Sequence, residues 1–300
     1  MPSDLNGIAC ACVTPMTAES EIDVPRLAAH IDSLFAQGCS FVSTFGSTGE
    51  GPSLSTRQKA AALRQLAEAG SDMSRQVPAI MTPCLDDAVD LLAVVAETGC
   101  PAALVLPPFY YAAPATAGIV DYIERMAQRA RADIDLLLYN IPALSRVAFS
   151  IELIGAIRER LGSQVVGVKD STGDLQNGLA LVKAFPDLNI FTGDDRVLPD
   201  LVAAGGAGMI GGLPNLTAPD LVALLRSPDD AALRAKAAAR IAAVDANGGL
   251  PVIKSMLASF SGDAGLSRVI PPLVAATGAS TAEAVRVFGE SGYSYSGMAA

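Results

Sequence analysis

The chain has 300 residues, 51% hydrophobic and 17% charged, with a positive mean hydropathy. That much apolar side chain can bury a sizeable core and excludes a disordered chain. The net charge of -10 argues against nucleic acid or an anionic membrane as a partner, and an anionic substrate would need a local cluster of donors.

Met1-Pro2-Ser3-Asp4 carries neither a basic region nor an apolar signal core, so a cytoplasmic protein is the expectation. Short β-like runs then alternate with helix-like segments to about residue 225. The predicted strands are Ile8–Val13, Phe41–Phe45, Val77–Met81, Ala102–Leu106, Leu136–Tyr139, Val165–Val168, Asn189–Phe191 and Ala207–Ile210. Predicted helices lie between them: Val24–Gln37, Thr56–Ala69, Asp87–Thr98, Thr116–Arg131, Ile151–Leu161, Leu175–Ala184, Val197–Ala204 and Pro219–Leu225. Asp23, Ser55, Asp86 and Asp174 are the expected N-caps, and Gly38 and Gly99 the expected helix stops.

Eight strands, each followed by a helix, predict an α/β fold, a (β/α)8 TIM barrel over residues 1–225. A doubly wound open sheet has the same alternation, and the count alone does not separate them. After Ser227 the pattern is helix without strand: Asp229–Ala246, Pro251–Phe260 and Thr281–Phe288. Residues 226–300 are therefore expected to form a helical extension packed on the barrel, with a loose end from Glu290 to Ala300.

The long uncharged run between Asp200 and Asp220 is broken by Gly205, Gly206, Gly208 and Pro214, which does not suit a membrane helix. Its Gly206-Ala207-Gly208-Met209-Ile210-Gly211 formally matches a dinucleotide fingerprint. The strand falls inside the motif instead of before it, so no dinucleotide is expected. A phosphate-binding use of this loop lacks a nearby basic residue. The five cysteines, Cys10, Cys12, Cys39, Cys84 and Cys100, are odd in number and contain no C-x-x-C. They read as buried free thiols of a reducing compartment. With His30 the only histidine, no metal set forms, and neither metal nor cofactor is expected.

In a TIM barrel the chemistry belongs at the C-terminal ends of strands. The sixth run ends abruptly in Lys169. Such a lysine either keeps its head in water or is held in a pocket, where burial disfavours the ammonium and frees a nucleophilic amine. The second run ends in Gly46-Ser47-Thr48-Gly49-Glu50, small residues that let a ligand approach the backbone and offer hydroxyl donors. The fourth ends in Pro107-Pro108-Phe109-Tyr110-Tyr111, and the fifth in Tyr139-Asn140-Ile141-Pro142, where a phenol at the mouth can carry a proton.

Taken together, Gly46–Glu50, Tyr139–Pro142 and Gly167-Val168-Lys169-Asp170-Ser171-Thr172-Gly173-Asp174 resemble the pyruvate-dependent class I aldolases typified by dihydrodipicolinate synthase and N-acetylneuraminate lyase. Phe191-Thr192-Gly193-Asp194-Asp195 and Gly208-Met209-Ile210 look like that family's seventh and eighth strands. The resemblance implies a lyase in which Lys169 forms a Schiff base with pyruvate or another 2-keto acid. It implies that Tyr139 transfers protons, that Ser47 and Thr48 hold the substrate carboxylate, and that the Thr48 hydroxyl meets Tyr139. It also implies that the Ile210 carbonyl faces the lysine and that Tyr110 reaches a neighbouring subunit's site in a homotetramer built as a dimer of dimers.

One position departs from the pattern. Where the lysine-pathway synthases carry an arginine five residues after the tyrosine, this chain has Leu144, with Arg146 two residues later. The expected function is therefore an aldolase or dehydratase acting on pyruvate or a 2-keto-3-deoxy acid. Condensation of pyruvate with aspartate semialdehyde and non-catalytic 2-keto-acid sensing are the alternatives. A sensor would need neither Lys169 nor Tyr139.

Overall fold

The computed structural model describes residues 5–111 and 113–297. Met1–Asp4 and the last three residues of the tail, subjects of expectations above, lie outside them. Eight strands follow in chain order: β1 Gly7–Ala11, β2 Phe41–Ser43, β3 Ala79–Ile80, β4 Ala102–Val105, β5 Asp135–Asn140, β6 Val165–Asp170, β7 Asn189–Thr192 and β8 Gly208–Gly211. Each pairs in parallel with its sequence neighbour from β3 to β8, and β1 pairs with both β8 and β2. The ring closes between β2 and the approach to β3, where Val77 N–H donates to Val42 O at 2.8 Å and Ala79 N–H to Thr44 O at 2.9 Å. This is a (β/α)8 barrel and not an open doubly wound sheet.

The barrel helices are α1 Val24–Ala36, α2 Thr56–Glu68, α3 Leu85–Glu97, α4 Thr116–Ala130, α6 Ile151–Leu161, α7 Leu175–Ala184, α8 Leu198–Ala203 and α9 Pro214–Arg226. A single turn, α5 Pro142–Ser145, follows β5. Local chemistry sets the helix starts. Asp23, Ser55 and Asp174 accept backbone N–H groups as caps, and Ser55 forms a capping box with Gln58. Asp86 is not a cap. Cys84 holds that position and Asp86 sits in the first turn of α3, where its charge meets the positive helix end. The last barrel helix begins at Pro214, earlier than Pro219, because a kink at Thr217 lets two helical pieces join ahead of that proline.

Alternation along the strands divides two apolar layers. Cys10, Val42, Val105, Leu138 and Val168 face the helices. Ala9, Phe41, Leu104, Leu137, Val166 and Phe191 fill the barrel. Phe41 and Phe191 meet edge to face at 5.7 Å, and small Ala9, Ala11 and Ala79 share that interior, leaving room for them. Four cysteines are buried, but Cys84 is exposed because it caps α3 at the surface. Burial pushes the Cys39 thiol up to about 12 and Cys100 to about 11, so these thiols stay protonated.

Beyond Arg226 come α10 Ala231–Ala246, α11 Leu250–Ser261 and α12 Gly278–Glu290. Val244, Met256 and Phe288 from these helices share one apolar cluster with Ile8 and Met209 of the barrel. The tail is not loose as far as it is described. Tyr293 packs on Phe260 and Phe288 at 5.0 and 5.1 Å, Tyr295 stacks on Phe260, and the Tyr293 hydroxyl donates to Leu216 O at 2.8 Å. Two aromatic side chains outweigh the flexibility of the Ser and Gly around them. No helix among the described residues is long and apolar enough to cross a membrane.

Candidate active site

A β-bulge aims the lysine. Leu136 of β5 pairs with Val165, but Leu137 pairs with Gly167, so Val166 is an extra residue in β6. One inserted residue inverts the alternation that follows. Val165 points to the helices and Val166 into the barrel; past the bulge Val168 points outward again. Lys169 then pairs with Tyr139 on the inward face. Gly167 is required at the bulge, because a Cβ there would sit 2.4 Å from Asn189 O.

Lys169 is 4% exposed, and its Nζ lies 4.2 Å from the centre of the Tyr139 ring. The Tyr139 hydroxyl lies 3.2 Å from Ser47 Oγ. The hydroxyl in reach of Tyr139 is therefore that of Ser47 and not of Thr48. Thr48 turns instead toward Gly212, where its Oγ1 is 3.3 Å from the place a Cβ would occupy. Ile210 lies in the barrel interior with Tyr139. Tyr110 is 85% exposed at a φ of 92°, with its ring edge to face with that of Tyr111 at 5.4 Å.

The turn bearing Ser47 is shaped by close approach. A Cβ on Gly51 would stand 1.7 Å from Phe45 O, and one on Gly49 2.8 Å from Cys12 O. The residue that ends it, Glu50, is fully buried and was not singled out for any role by its sequence context. Its Oε1 pairs with Lys254 Nζ of α11 at 2.5 Å, and its Oε2 accepts the Ile270 N–H at 2.6 Å. Lys254 also donates to Thr14 O at 2.9 Å. Burial pulls the Lys254 ammonium below its ordinary range, with Glu50 opposing.

A second polar lock stands behind the inward pair. Asn140 Nδ2 donates to Asp170 Oδ1 at 2.8 Å, while the Thr172 hydroxyl and Asn177 Nδ2 reach Asp170 Oδ2 at 2.8 and 2.9 Å. Asn140 Oδ1 accepts the Phe149 N–H at 3.0 Å. These bonds fix the ends of β5 and β6, and with them Tyr139 and Lys169. The sequence signal was available for two of them, since Asn140 directly follows Tyr139 and Asp170 directly follows Lys169. Beside Ser47 opens a groove of about 300 Å³ lined mainly by apolar side chains, Leu144 among them. Arg146 does not line it; it is exposed, in the left-handed residue that ends α5. His30 is elsewhere, with Nε2 2.9 Å from Asn215 Oδ1. Among the described residues no group of three His, Cys, Asp or Glu side chains could hold a metal.

A sequence profile of the dihydrodipicolinate synthetase family matches residues 4–245. The chain belongs to that family. An uncharacterized DapA-like lyase of Chloroflexus aurantiacus is 32% identical over 205 residues, 68% of each chain. A 4-hydroxy-tetrahydrodipicolinate synthase of Coxiella burnetii is 31% identical over 214 residues, 70% of this chain and 71% of the relative. The crystal structure of dihydrodipicolinate synthase from Agrobacterium tumefaciens superposes with a TM-score of 0.90 at 28% identity, covering 95% of this chain and 99% of that one. A 2-keto-3-deoxygluconate aldolase variant of Sulfolobus solfataricus shares the fold, with a TM-score of 0.85 at 21% identity and 95% of each chain covered. As a dihydrodipicolinate synthetase family member the chain is a class I lyase, an enzyme that works through a lysine Schiff base.

Proposed function

We propose that Lys169 is the Schiff-base lysine and that the substrate is pyruvate or a 2-keto acid that releases it. The observation that carries this is the contact chain Lys169–Tyr139–Ser47 at the C-terminal mouth of the barrel. The Lys169 amine adds to the keto carbon, and loss of water leaves a protonated imine. The imine draws electrons from the adjacent carbon, so a C–C bond breaks there, or a proton leaves to give an enamine that attacks an aldehyde. Tyr139 takes and returns the proton, with Ser47 as its relay to the substrate carboxylate. The Ser47–Thr48 turn holds that carboxylate, and the Ile210 carbonyl faces the imine. No cofactor enters any of these steps.

The assembly we propose is a homotetramer. Tyr110 is an exposed side chain held at a left-handed φ, the kind of strained position that survives when it serves a neighbouring site. The test of the lysine is reductive capture. Borohydride with pyruvate should add a stable mass to the peptide carrying Lys169, and Lys169→Ala should abolish it. Labelling that persists in Lys169→Ala would sink the assignment.

Condensation with aspartate semialdehyde is the second reading, favoured by the names of several relatives. Leu144 opposes it. That aldehyde carries a carboxylate, which needs a fixed donor such as bidentate arginine once partly desolvated. Leu144 offers none, and Arg146 is turned to solvent.

A further inference from the structure

We propose that the groove beside Ser47 is the subsite for the second reactant, and that it takes an uncharged aldehyde with an apolar or aromatic end. This rests on the Schiff-base reading above. Ser47 belongs both to the Tyr139 contact and to the groove wall, so the groove adjoins the Lys169–Tyr139 pair through that residue, although neither of the pair lines it. Met81, Leu106, Phe109, Ile141, Leu144 and Leu273 supply its apolar surface. No lysine, arginine or histidine lines it, among the described residues. Its one charged side chain, Glu50, is an anion already paired with Lys254 and the Ile270 N–H. The Ser145 hydroxyl donates to Val147 O at 2.8 Å and lies 3.1 Å from Ile141 O, so it is turned to its own chain. A carboxylate on the second reactant would lose water here and find no cation, and a polyhydroxylated chain would meet few free partners.

The outer wall comes from the C-terminal extension. Pro272 and Leu273 lie two and three residues after Ile270, whose N–H is held by Glu50. Glu50 stands on the same turn as Ser47, with its own N–H bonded to Ser47 O at 3.1 Å. One turn thus fixes the keto-acid end of the site and, through the bond from the Ile270 N–H to Glu50, the segment that carries Pro272 and Leu273. Glu50 and Lys254 are positioning residues for that wall. In the condensation direction, the enamine carbon forms a bond to the aldehyde carbon. The aldehyde oxygen takes a proton through Tyr139, and water then releases the hydroxylated 2-keto acid from Lys169.

The experiment compares pyruvate condensation with benzaldehyde, glyceraldehyde and aspartate semialdehyde, with borohydride capture of the pyruvate imine run on every protein. Benzaldehyde should exceed each of the other two in kcat/KM by roughly tenfold or more. Leu273→Arg and Leu144→Arg should each lower benzaldehyde use about tenfold and narrow the gap to aspartate semialdehyde. Imine formation with glyceraldehyde or aspartate semialdehyde preferred, or with benzaldehyde inert, overturns the subsite alone. So does an unchanged ranking in both arginine variants. Failure to capture any imine on the wild type overturns the Schiff-base reading, and the subsite with it.

Discussion

Tyr139 touches its two neighbours through different parts of one side chain: its ring faces Lys169 Nζ and its hydroxyl faces Ser47. Substitution can separate these. Tyr139→Phe keeps the ring and should still form the pyruvate imine, while turnover falls about 10²-fold or more if the hydroxyl carries the proton. A near-normal kcat in Tyr139→Phe would refute that role. The relay makes a second prediction. Ser47→Ala should lower kcat more than Thr48→Val does, measured as separate kcat and KM values for pyruvate. The opposite order would return the relay to Thr48. The strand-end lysine and tyrosine were legible in the sequence because each ends a short apolar run. Which of two adjacent hydroxyls meets the phenol was not, since that depends on how the turn is packed between Gly49 and Gly51.

At the scale of the element, the direction of Lys169 depends on a pairing that its own strand does not encode. Without the bulge at Val166, the alternation from Val165 would send Lys169 toward the helices. The cause lies in β5 and in the approach of Asn189, both distant in sequence, so local periodicity could not show it. The Glu50–Lys254 pair is hidden for the same reason: the partners are 204 residues apart. It has a measurable consequence. Lys254→Met should destabilise the fold by about 3–5 kcal/mol, because it leaves the Glu50 charge buried and unpaired. Combining it with Glu50→Gln should restore most of that loss, since the amide oxygen can still accept the Ile270 N–H. Urea midpoints for the two single variants and the double variant decide this. A double variant as unstable as Lys254→Met would show that packing, and not charge, is what Lys254 contributes.

Across the whole molecule, the order and kind of the barrel elements were legible because each strand and helix carries its own apolar period. Closure was not, since it rests on two backbone bonds between β2 and the residues before β3. The seam between barrel and extension was equally hidden, and it holds a second buried acid. Asp195 follows β7, is 2% exposed, and neither of its carboxylate oxygens has a hydrogen-bond partner among the described residues. It lines a cavity of about 10 Å³ with Thr217 of α9 and Arg240 of α10. Burial pushes its carboxyl up to about 8, with the neighbouring Asp194 adding to the shift and its own backbone N–H and Arg196 opposing it. The sign of the pH effect follows. The unfolded chain releases this proton near its ordinary value of 3.8, while the folded chain keeps it to about pH 8. Between those values the unfolded state gains by ionising and the folded state does not, so this residue's contribution to stability falls as pH rises, then levels off above about pH 8. Asp195→Asn has the same shape and does not titrate. Its stability relative to wild type should rise steadily from about pH 5 to 8 and stay flat above, as read from urea midpoints of both proteins at each pH. Comparing the two proteins cancels the titration of the groups that do not interact with Asp195. A difference that stays flat from about pH 5 to 8 would mean that Asp195 is already ionised in the folded protein at pH 5, so that a charge and not a neutral acid sits between the extension and the barrel.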